Sequence, residues 1–522
     1  MRLVDYLDKG ASLGPQAPCL RSGDRKLSYG EVQRLSDTVA RALAGSGVGP
    51  GDKVAILSAN DPIAFSCVFG ISRAGAVWCP INPRNEAREN RQLLDLFECS
   101  VLIFQRAYAG LVDQIRGDLP QLRVVVCLDP EKGVPLSEGV LDFAVWTGDH
   151  AGEGDERLEI TPVDDVAMIV GTGGTTGLPK GVQLTTRNLE TMTAITLMAY
   201  PFIERPRYLA LAPLTHAAGV LSFPVLTLGG EIVIMAKPDI GEFLRLIEQH
   251  AITHTMLTPT LLYMLLAHAD LDATDLSSIR CFWYGSAPMS AHRLAEAIER
   301  IGPVFAQYFG QTEAPMVATT MSPGDHLLAD GSVATSRLSS AGRAAPLVTL
   351  AIMDPDGRLL PTGERGEIVL RSSLVMPGYY RNPDATAEVS RFGWHHTGDI
   401  GYLDDDGFLF IVDRAKDMII TGGFNVYSAE VEQAVMEHPD VQDCAVFGVP
   451  DEKWGERVVA VVQSRTGPDL DLTALHGFVR ERVGGVKAPK DYLVWADLPR
   501  SKVGKVLKRE IRDRVLAADP TD

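Results

Sequence analysis

The first part of the chain alternates between two spacings of apolar residues. After Ser28-x-x-Glu31, a capping-box pattern, Val32, Leu35, Val39 and Leu43 recur on one face of a helix. Gly51-Asp52 then leads into Val54-Ala-Ile-Leu57, a short apolar run expected to be an interior strand. A further helix-like stretch precedes Ala76-Val-Trp-Cys79, which Pro80 and Pro83 are expected to end. Val166 to Val170, Tyr208 to Leu211 and Ile232 to Met235 repeat the buried-strand character. Strands separated by helices predict βαβ units and a largely parallel sheet.

Past about residue 340 the pattern changes. Asp356-Gly357 and Asp406-Gly407 are turn dipeptides flanked by apolar runs, the signal for antiparallel hairpins. Farther on, Ser428 precedes a helix-like stretch with Val431 and Val435. Val458 to Val462 reads as a strand, and Leu472, Leu475, Phe478 and Val479 as a second helix. That suffices for a small α+β domain of about 100 residues. The expected fold class is therefore α/β: a large N-terminal domain, 1–414, of parallel-rich βαβ sheets plus a β-rich subdomain, then a small α+β domain, 415–522. The boundary is placed near Asp413-Arg414-Ala415-Lys416, a short hinge rather than a long linker. The length of 522 residues requires at least two domains in any case, since single cores stop growing at roughly 250–300.

Composition narrows the partners. Apolar residues make up 46% and charged residues 22%, the balance of an ordinary globular enzyme, and the net charge is −18. That surplus argues against nucleic acid or an anionic membrane surface as partner, though not against a polyanionic small molecule held in a locally basic pocket. The seven cysteines are scattered and form no C-x-x-C pair, so a disulfide framework or structural zinc site is not expected and a reducing cytoplasm is. No signal-peptide core is visible at the N-terminus. The longest apolar stretch, Gly219 to Ala236, is interrupted by Pro224, Gly229-Gly230 and Glu231, so no integral membrane segment is expected.

The most informative motif is Gly171-Thr-Gly-Gly-Thr-Thr-Gly-Leu-Pro-Lys-Gly181, directly after a predicted strand. Small residues such as Gly173, Gly174 and Gly177 let backbone N–H groups approach phosphate oxygens. Thr172, Thr175 and Thr176 add hydroxyls, and Lys180 adds a point charge. The dinucleotide fingerprint fails because Thr176 stands at its sixth place. The Walker A loop fails because Pro179 precedes the lysine. By itself the loop could equally be a surface turn. Gln307-Tyr308-Phe309-Gly310-Gln311-Thr312-Glu313 joins aromatic rings, a glycine, a hydroxyl and a carboxylate. Phe309 can stack on adenine, Thr312 can hold an α-phosphate or acyl oxygen, and Glu313 can ligate Mg²⁺ through a hard oxygen. Taken alone, an aromatic pair closing a strand with Glu313 in solvent is the commoner arrangement.

Together and in order, these motifs resemble the adenylate-forming superfamily of acyl-CoA synthetases, peptide-synthetase adenylation domains and beetle luciferases, in its fatty-acid–CoA ligase branch. The resemblance runs from about Leu27 to Glu510. Gly173 replaces the serine usual in that family's loop, removing one hydroxyl. The resemblance implies that Tyr308, Phe309 and Gly310 belong to the ATP site, with Gly285-Ser286-Ala287-Pro288 as the adenine-edge turn. It further implies that Asp399 accepts the ribose hydroxyls, with Ile411 and Arg414 packing on and bonding the ribose. His216 is placed beside the carboxylate and pyrophosphate path, and Lys416 at the hinge of a mobile C-terminal domain. Lys505, in Arg500-Ser-Lys-Val-Gly-Lys505, resembles the catalytic lysine that bridges charge on carboxylate and α-phosphate. Gly422, Gly423 and Phe424 resemble the loop lining a pantetheine channel. Ile420 stands where some relatives carry a lysine, which leaves thiol activation unassigned. Lys502, Lys508 and Arg509 are expected to be a solvated basic tail.

Other histidines are expected to be structural. His395-His396 would point to opposite faces of a strand, and His250 and His254 lack the glutamate of a zinc-protease helix. The reaction implied is ATP-dependent joining of an apolar carboxylic acid to coenzyme A through an acyl-adenylate, with Mg²⁺. The alternatives are transfer to a carrier-protein phosphopantetheine and a non-catalytic nucleotide-binding scaffold. Oligomeric state is not legible.

Overall fold

The computed structural model describes residues 1–149, 165–172, 179–215, 217–414, 417–451, 453–465, 467, 469–500 and 506–518. Among them the chain forms four sheets. A seven-stranded sheet runs in the spatial order Val140–Asp142, Val124–Cys127, Val101–Phe104, Lys53–Leu57, Val77–Ile81, Val166–Thr172 and Lys180–Thr185. It is parallel except at its last pair. A nine-stranded sheet has a parallel centre made of Phe305–Phe309, Cys281–Gly285, His254–Leu257, Arg207–Ala210 and Glu231–Ile234. The expected βαβ character is thus present twice.

Period-two alternation builds the layers. Val54 and Ile56 face one core while Ala55 and Leu57 face another, and Trp283 is separated in the same way from Phe282 and Tyr284. The largest core lies between the two sheets. It takes in the helices Leu3–Leu13, Tyr29–Gly45, Pro62–Arg73 and Thr186–Ala199. Helices Ile240–His250, Pro259–Leu266 and Ala291–Ile301 cover the outer face of the nine-stranded sheet. The capping box at Ser28 forms as the pattern predicts: Glu31 N–H donates to Ser28 Oγ at 3.3 Å, and Ser28 N–H to the Glu31 carboxylate at 2.7 Å.

Pro80 does not end its strand. It lies within Val77–Ile81, opposite Ile56. The partner on the other side, Val166–Thr172, pairs there only at Trp78↔Met168, so the missing N–H interrupts no continuous ladder.

The hairpin signals after residue 340 are an antiparallel four-stranded sheet: Thr349–Met353, Gly366–Arg371, His395–Leu403 and Leu409–Arg414. A five-stranded sheet follows, beginning at Ile419–Thr421 and built around Val441–Asp451 and Gly455–Ser464. Helices Ser428–Met436 and Leu472–Lys487 cover one of its faces, and Lys508–Ala518 covers the other. This last unit is the small lobe; everything before it is the large lobe. All seven cysteines are unpaired and buried. No helix among the described residues is long and apolar enough to cross a membrane.

Two histidines in the nine-stranded region are held neutral. His326 Nδ1–H donates to the Ser322 carbonyl at 2.9 Å, and Nε2 accepts from Tyr284 Oη at 2.8 Å. His254 Nε2–H donates to the Pro201 carbonyl at 2.9 Å. Burial lowers both to about 4, against about 6.5 in the unfolded chain. Below pH 6.5 the unfolded chain therefore binds more protons than the folded one, and stability falls as pH drops from about 6.5 toward 4. The urea midpoint is expected to fall across that window. A His254→Gln/His326→Gln variant, less stable at pH 7, should lose part of the slope; an unchanged slope would refute this assignment.

Candidate active site

Strand ends assemble the site. Cys281–Gly285 and Phe305–Phe309 are parallel neighbours with Gly285 opposite Tyr308, so both release their following loops at the same edge. A Cβ at Gly285 would stand 2.5 Å from the Tyr308 carbonyl, which explains the glycine. Ser286 has φ +68°, a left-handed turn that redirects the Ser286-Ala287-Pro288 segment. Its hydroxyl lies 3.2 Å from Tyr308 Oη. Gly310 is equally confined, since a Cβ there would meet the Met316 carbonyl carbon at 2.6 Å.

The loop after Phe309 reaches the antiparallel sheet. Gln311 Nε2 donates to the Thr397 carbonyl at 2.6 Å and to Asp399 Oδ2 at 3.1 Å. Asp399 faces Arg414 across the strand pair, and Arg414 Nε lies 3.0 Å from Asp399 Oδ1. The Asp399 side chain is only 5% exposed while Arg414 is 51% exposed, so the carboxylate is rooted in protein and the guanidinium reaches solvent. Phe309 and Ile411 pack against one small core of Ala341, Ile352, Ile368 and Leu409. His395 lies behind Gln311, with Nε2 3.4 Å from Gln311 Oε1, and burial holds it near 4, hence neutral. His396 turns the other way, to Glu367 at 2.7 Å, as expected for neighbours on a strand. Among the described residues no cluster of three or more His, Cys, Asp or Glu could hold a metal.

Thr312 and Glu313 complete this edge. Tyr379 Oη donates to Glu313 Oε1 at 2.7 Å, and Met376 N–H donates to the Glu313 carbonyl at 2.8 Å. Burial and the Glu313 carboxylate push the Tyr379 phenol well up, so it remains a donor. Lys180 Nζ sits 4.8 Å from the centre of the same ring. Thr172 and Lys180 are paired residues of an antiparallel ladder, with Thr172 Oγ1 donating to the Lys180 carbonyl at 3.4 Å. Gly173, Gly174, Thr175, Thr176 and Gly177 lie outside the described residues, as do His216, Lys416 and Lys505. The structure thus brings together Thr172, Lys180, Glu313 and Tyr379 on one side, and Tyr308, Phe309, Asp399, Ile411 and Arg414 on the other.

Asp443 of the small lobe is near enough to Tyr263 of the large lobe for its charge to act on that phenol. Arg500 and Val506 form an antiparallel bridge, and Arg500 Nη2 pairs with Asp443 Oδ2 at 2.6 Å. On the large lobe, Tyr263 Oη accepts from Ser290 N–H at 2.9 Å, just beyond the Gly285–Pro288 turn. Burial pushes the Tyr263 phenol up to about 12, with Asp443 of the small lobe adding to the effect. The Gly422–Gly423 turn points elsewhere. Phe424 is 60% exposed, and both glycines have positive φ, +56° and +81°. Gly422 N–H donates to the Trp454 carbonyl at 2.7 Å, whereas a Cβ on Gly423 would meet nothing within 4 Å.

One expectation is overturned. Lys508 is no solvated tail residue: Nζ lies 2.8 Å from Glu432 Oε1 and donates to Ser428 Oγ at 2.7 Å. A single basic run carries no sign of an acidic partner on a distant helix. Arg509, by contrast, is 64% exposed. Gln311 and Tyr379 also went unassigned from sequence. Gln311 lay inside a recognised motif, but Tyr379 is 66 residues from Glu313 and has no local signature.

The family model described as "AMP-binding enzyme" matches residues 7–380, and "AMP-binding enzyme C-terminal domain" matches residues 430–505. The chain is 38% identical to the medium/long-chain-fatty-acid–CoA ligase FadD8 of Mycobacterium tuberculosis, over 95% of this chain and 87% of that one. It is 36% identical to a feruloyl-CoA synthase of Amycolatopsis sp, over 97% of both. Among solved structures, the anthranilate CoA ligase AuaEII in complex with anthranoyl-AMP superposes with a TM-score of 0.89 at 25% identity, covering 99% of this chain and 98% of that one.

Arg414→Ala leaves the Asp399 carboxylate buried without its cation, a change in the range of 1–3 kcal/mol. ATP affinity measured by calorimetric titration is expected to fall about tenfold or more. Unchanged affinity would remove Arg414 from the nucleotide site.

Proposed function

The chain belongs to the AMP-binding, adenylate-forming enzyme family, and from that premise we propose that it is an AMP-forming acid–thiol ligase acting on a carboxylic acid with an apolar body. In the first half-reaction a carboxylate oxygen attacks the α-phosphorus of ATP, and pyrophosphate leaves to give an acyl-adenylate. In the second, the thiolate of coenzyme A attacks the acyl carbonyl carbon, and AMP leaves. The observation that carries this reading is the Asp399–Arg414 pair set beside Phe309 and the Gly285–Pro288 turn, a cradle with two hydroxyl-binding groups and one aromatic face.

Both steps turn on charge. A carboxylate approaching a triphosphate meets like charge, so catalysis needs cations fixed before the reaction. Lys180, held over the Tyr379 ring, serves the β- and γ-phosphates together with Thr172 and the Gly173–Gly177 loop. Thr312 and His216 orient the α-phosphate and the acid, and Lys505 neutralises the oxygens that gain charge at phosphorus. Glu313 offers one hard oxygen beside Tyr379, which suits Mg²⁺, an ion held through one or two carboxylates plus substrate phosphates. When bound, Mg²⁺ supplies charge neutralisation on the phosphates.

The lobes divide the labour. With Asp443 of the small lobe near Tyr263, the segment carrying Lys505 serves adenylation. Rotation about Lys416 then brings Gly422, Gly423 and Phe424 to the site for thioester formation. The relatives named for fatty acids and for ferulate favour fatty or arylpropenoic acids as substrates. The unpaired cysteines suit a cytoplasmic location.

Screening straight-chain and aromatic acids for pyrophosphate release, with and without coenzyme A, tests the reading. Release with no acid is expected to remain at baseline, and no release with any acid would refute it. Lys505→Ala is expected to slow adenylation roughly 10²–10³-fold, the scale of losing one preorganised donor, and to spare thioester formation from supplied acyl-adenylate. Equal loss in both steps would reject that role. A bulky residue at Gly423 should block thioester formation while pyrophosphate exchange persists; surviving coenzyme A turnover would exclude the channel.

A further inference from the structure

Asp413 and Arg414 are consecutive on the strand Leu409–Arg414, so their side chains leave on opposite faces. Arg414 turns to Asp399 in the nucleotide cradle. Asp413, 5% exposed, turns to the small lobe. There it accepts from the Ser428 backbone N–H and, at 3.1 Å, from Ser428 Oγ. Ser428 opens the helix Ser428–Met436, and its hydroxyl accepts from Lys508 Nζ at 2.7 Å. Lys508 Nζ pairs with Glu432 Oε1 at 2.8 Å, and that oxygen also accepts from Val446 N–H at 2.8 Å.

The placement of Lys508 is costly on local grounds. It is the first residue of the helix Lys508–Ala518, where the helix dipole disfavours a cation. Arg509 and Arg514 of that helix stay in solvent, at 64% and 59% exposure, while Lys508 is 26% exposed. Burial disfavours its charge, but Glu432 and Asp413 more than offset that, so it stays ionised. A cation held against both dipole and desolvation is retained for its partners. Those partners belong to both lobes, and Lys508 lies three residues from Lys505 in the chain.

We propose that Lys508, with Asp413, Ser428 and Glu432, forms a positioning cluster that fixes the segment bearing Lys505 relative to the ribose-binding strand, and so serves adenylation rather than thioester formation. This rests on the adenylation reading above. The backbone at residues 413 and 414 is the shared element: one side chain anchors the nucleotide cradle and its neighbour anchors the base of the lysine segment. The cluster is closed in the arrangement in which Asp443 acts on Tyr263 and Phe424 is in solvent.

The test compares Lys508→Met, Asp413→Asn and Lys508→Arg with Lys505→Ala in the full chain. Two rates are read: ATP–pyrophosphate exchange with the best acid of the screen, and thioester formation from its synthetic acyl-adenylate. Lys508→Met and Asp413→Asn are each expected to slow exchange about tenfold or more, as for loss of one coupled buried pair, while thioester formation stays within about twofold. Lys508→Arg should recover most of the exchange. Hydrogen exchange of Lys508→Met should show faster amides near residues 500–510 and an unchanged remainder of the small lobe. Equal loss of both half-reactions, full exchange in the variants, or loss of protection throughout the small lobe would overturn the proposal. Full exchange in Lys505→Ala would instead overturn the adenylation reading.

Discussion

A carboxylate almost wholly removed from water must be surrounded by donors, and Asp399 imposes that condition on the whole cleft. Its charge is met by Arg414 from the adjacent strand and by Gln311 from the loop that leaves the nine-stranded sheet. Two sheets of different origin are thereby locked in one relation. Turning Arg414 elsewhere takes the cation from this buried carboxylate, a cost of about 1–3 kcal/mol. Because strand geometry then sends Asp413 the opposite way, the requirement at Asp399 also fixes where the small lobe is anchored.

Close backbone approach is the second constraint, and it is local. Gly285 admits the Tyr308 carbonyl, and Gly310 admits the Met316 backbone. These contacts bring the ends of neighbouring strands close together. Opposite them, Tyr379 ties the hard oxygen of Glu313 to the ammonium of Lys180 through one ring, its hydroxyl serving the anion and its face the cation. This side of the cleft is therefore organised by a residue that carries no charge of its own.

Among the described residues, polar contacts join the two lobes. Arg365 of the large lobe lies 5.1 Å from the Tyr427 ring and 3.9 Å from Glu430 of the small lobe. Exposed pairs of this kind contribute little individually, so such an interface can open without exposing an apolar core. The cluster at Asp413 is the exception, since Asp413 and Ser428 are buried and their hydrogen bonds join the two lobes.

Much of this was legible along the chain. The apolar run at Val54 to Leu57, the capping box at Ser28 and the turns at Asp356-Gly357 and Asp406-Gly407 determined their elements, because each depends on neighbours a few residues away. The motifs at 307–313 and 399–414 were legible for the same reason, and the fold brings Gln311 of the first against Asp399 of the second. Pro80 was misjudged because tolerance of a missing N–H depends on how far a partner strand extends, which is a property of the sheet. The roles of Tyr379 and Lys508 were decided by tertiary structure alone. Their partners, Glu313 and Glu432, lie 66 and 76 positions away, and only the packing of strands and helices makes such distant charges neighbours. Sequence settles what a segment can become by itself; burial and the pairing of charges settle what it is used for.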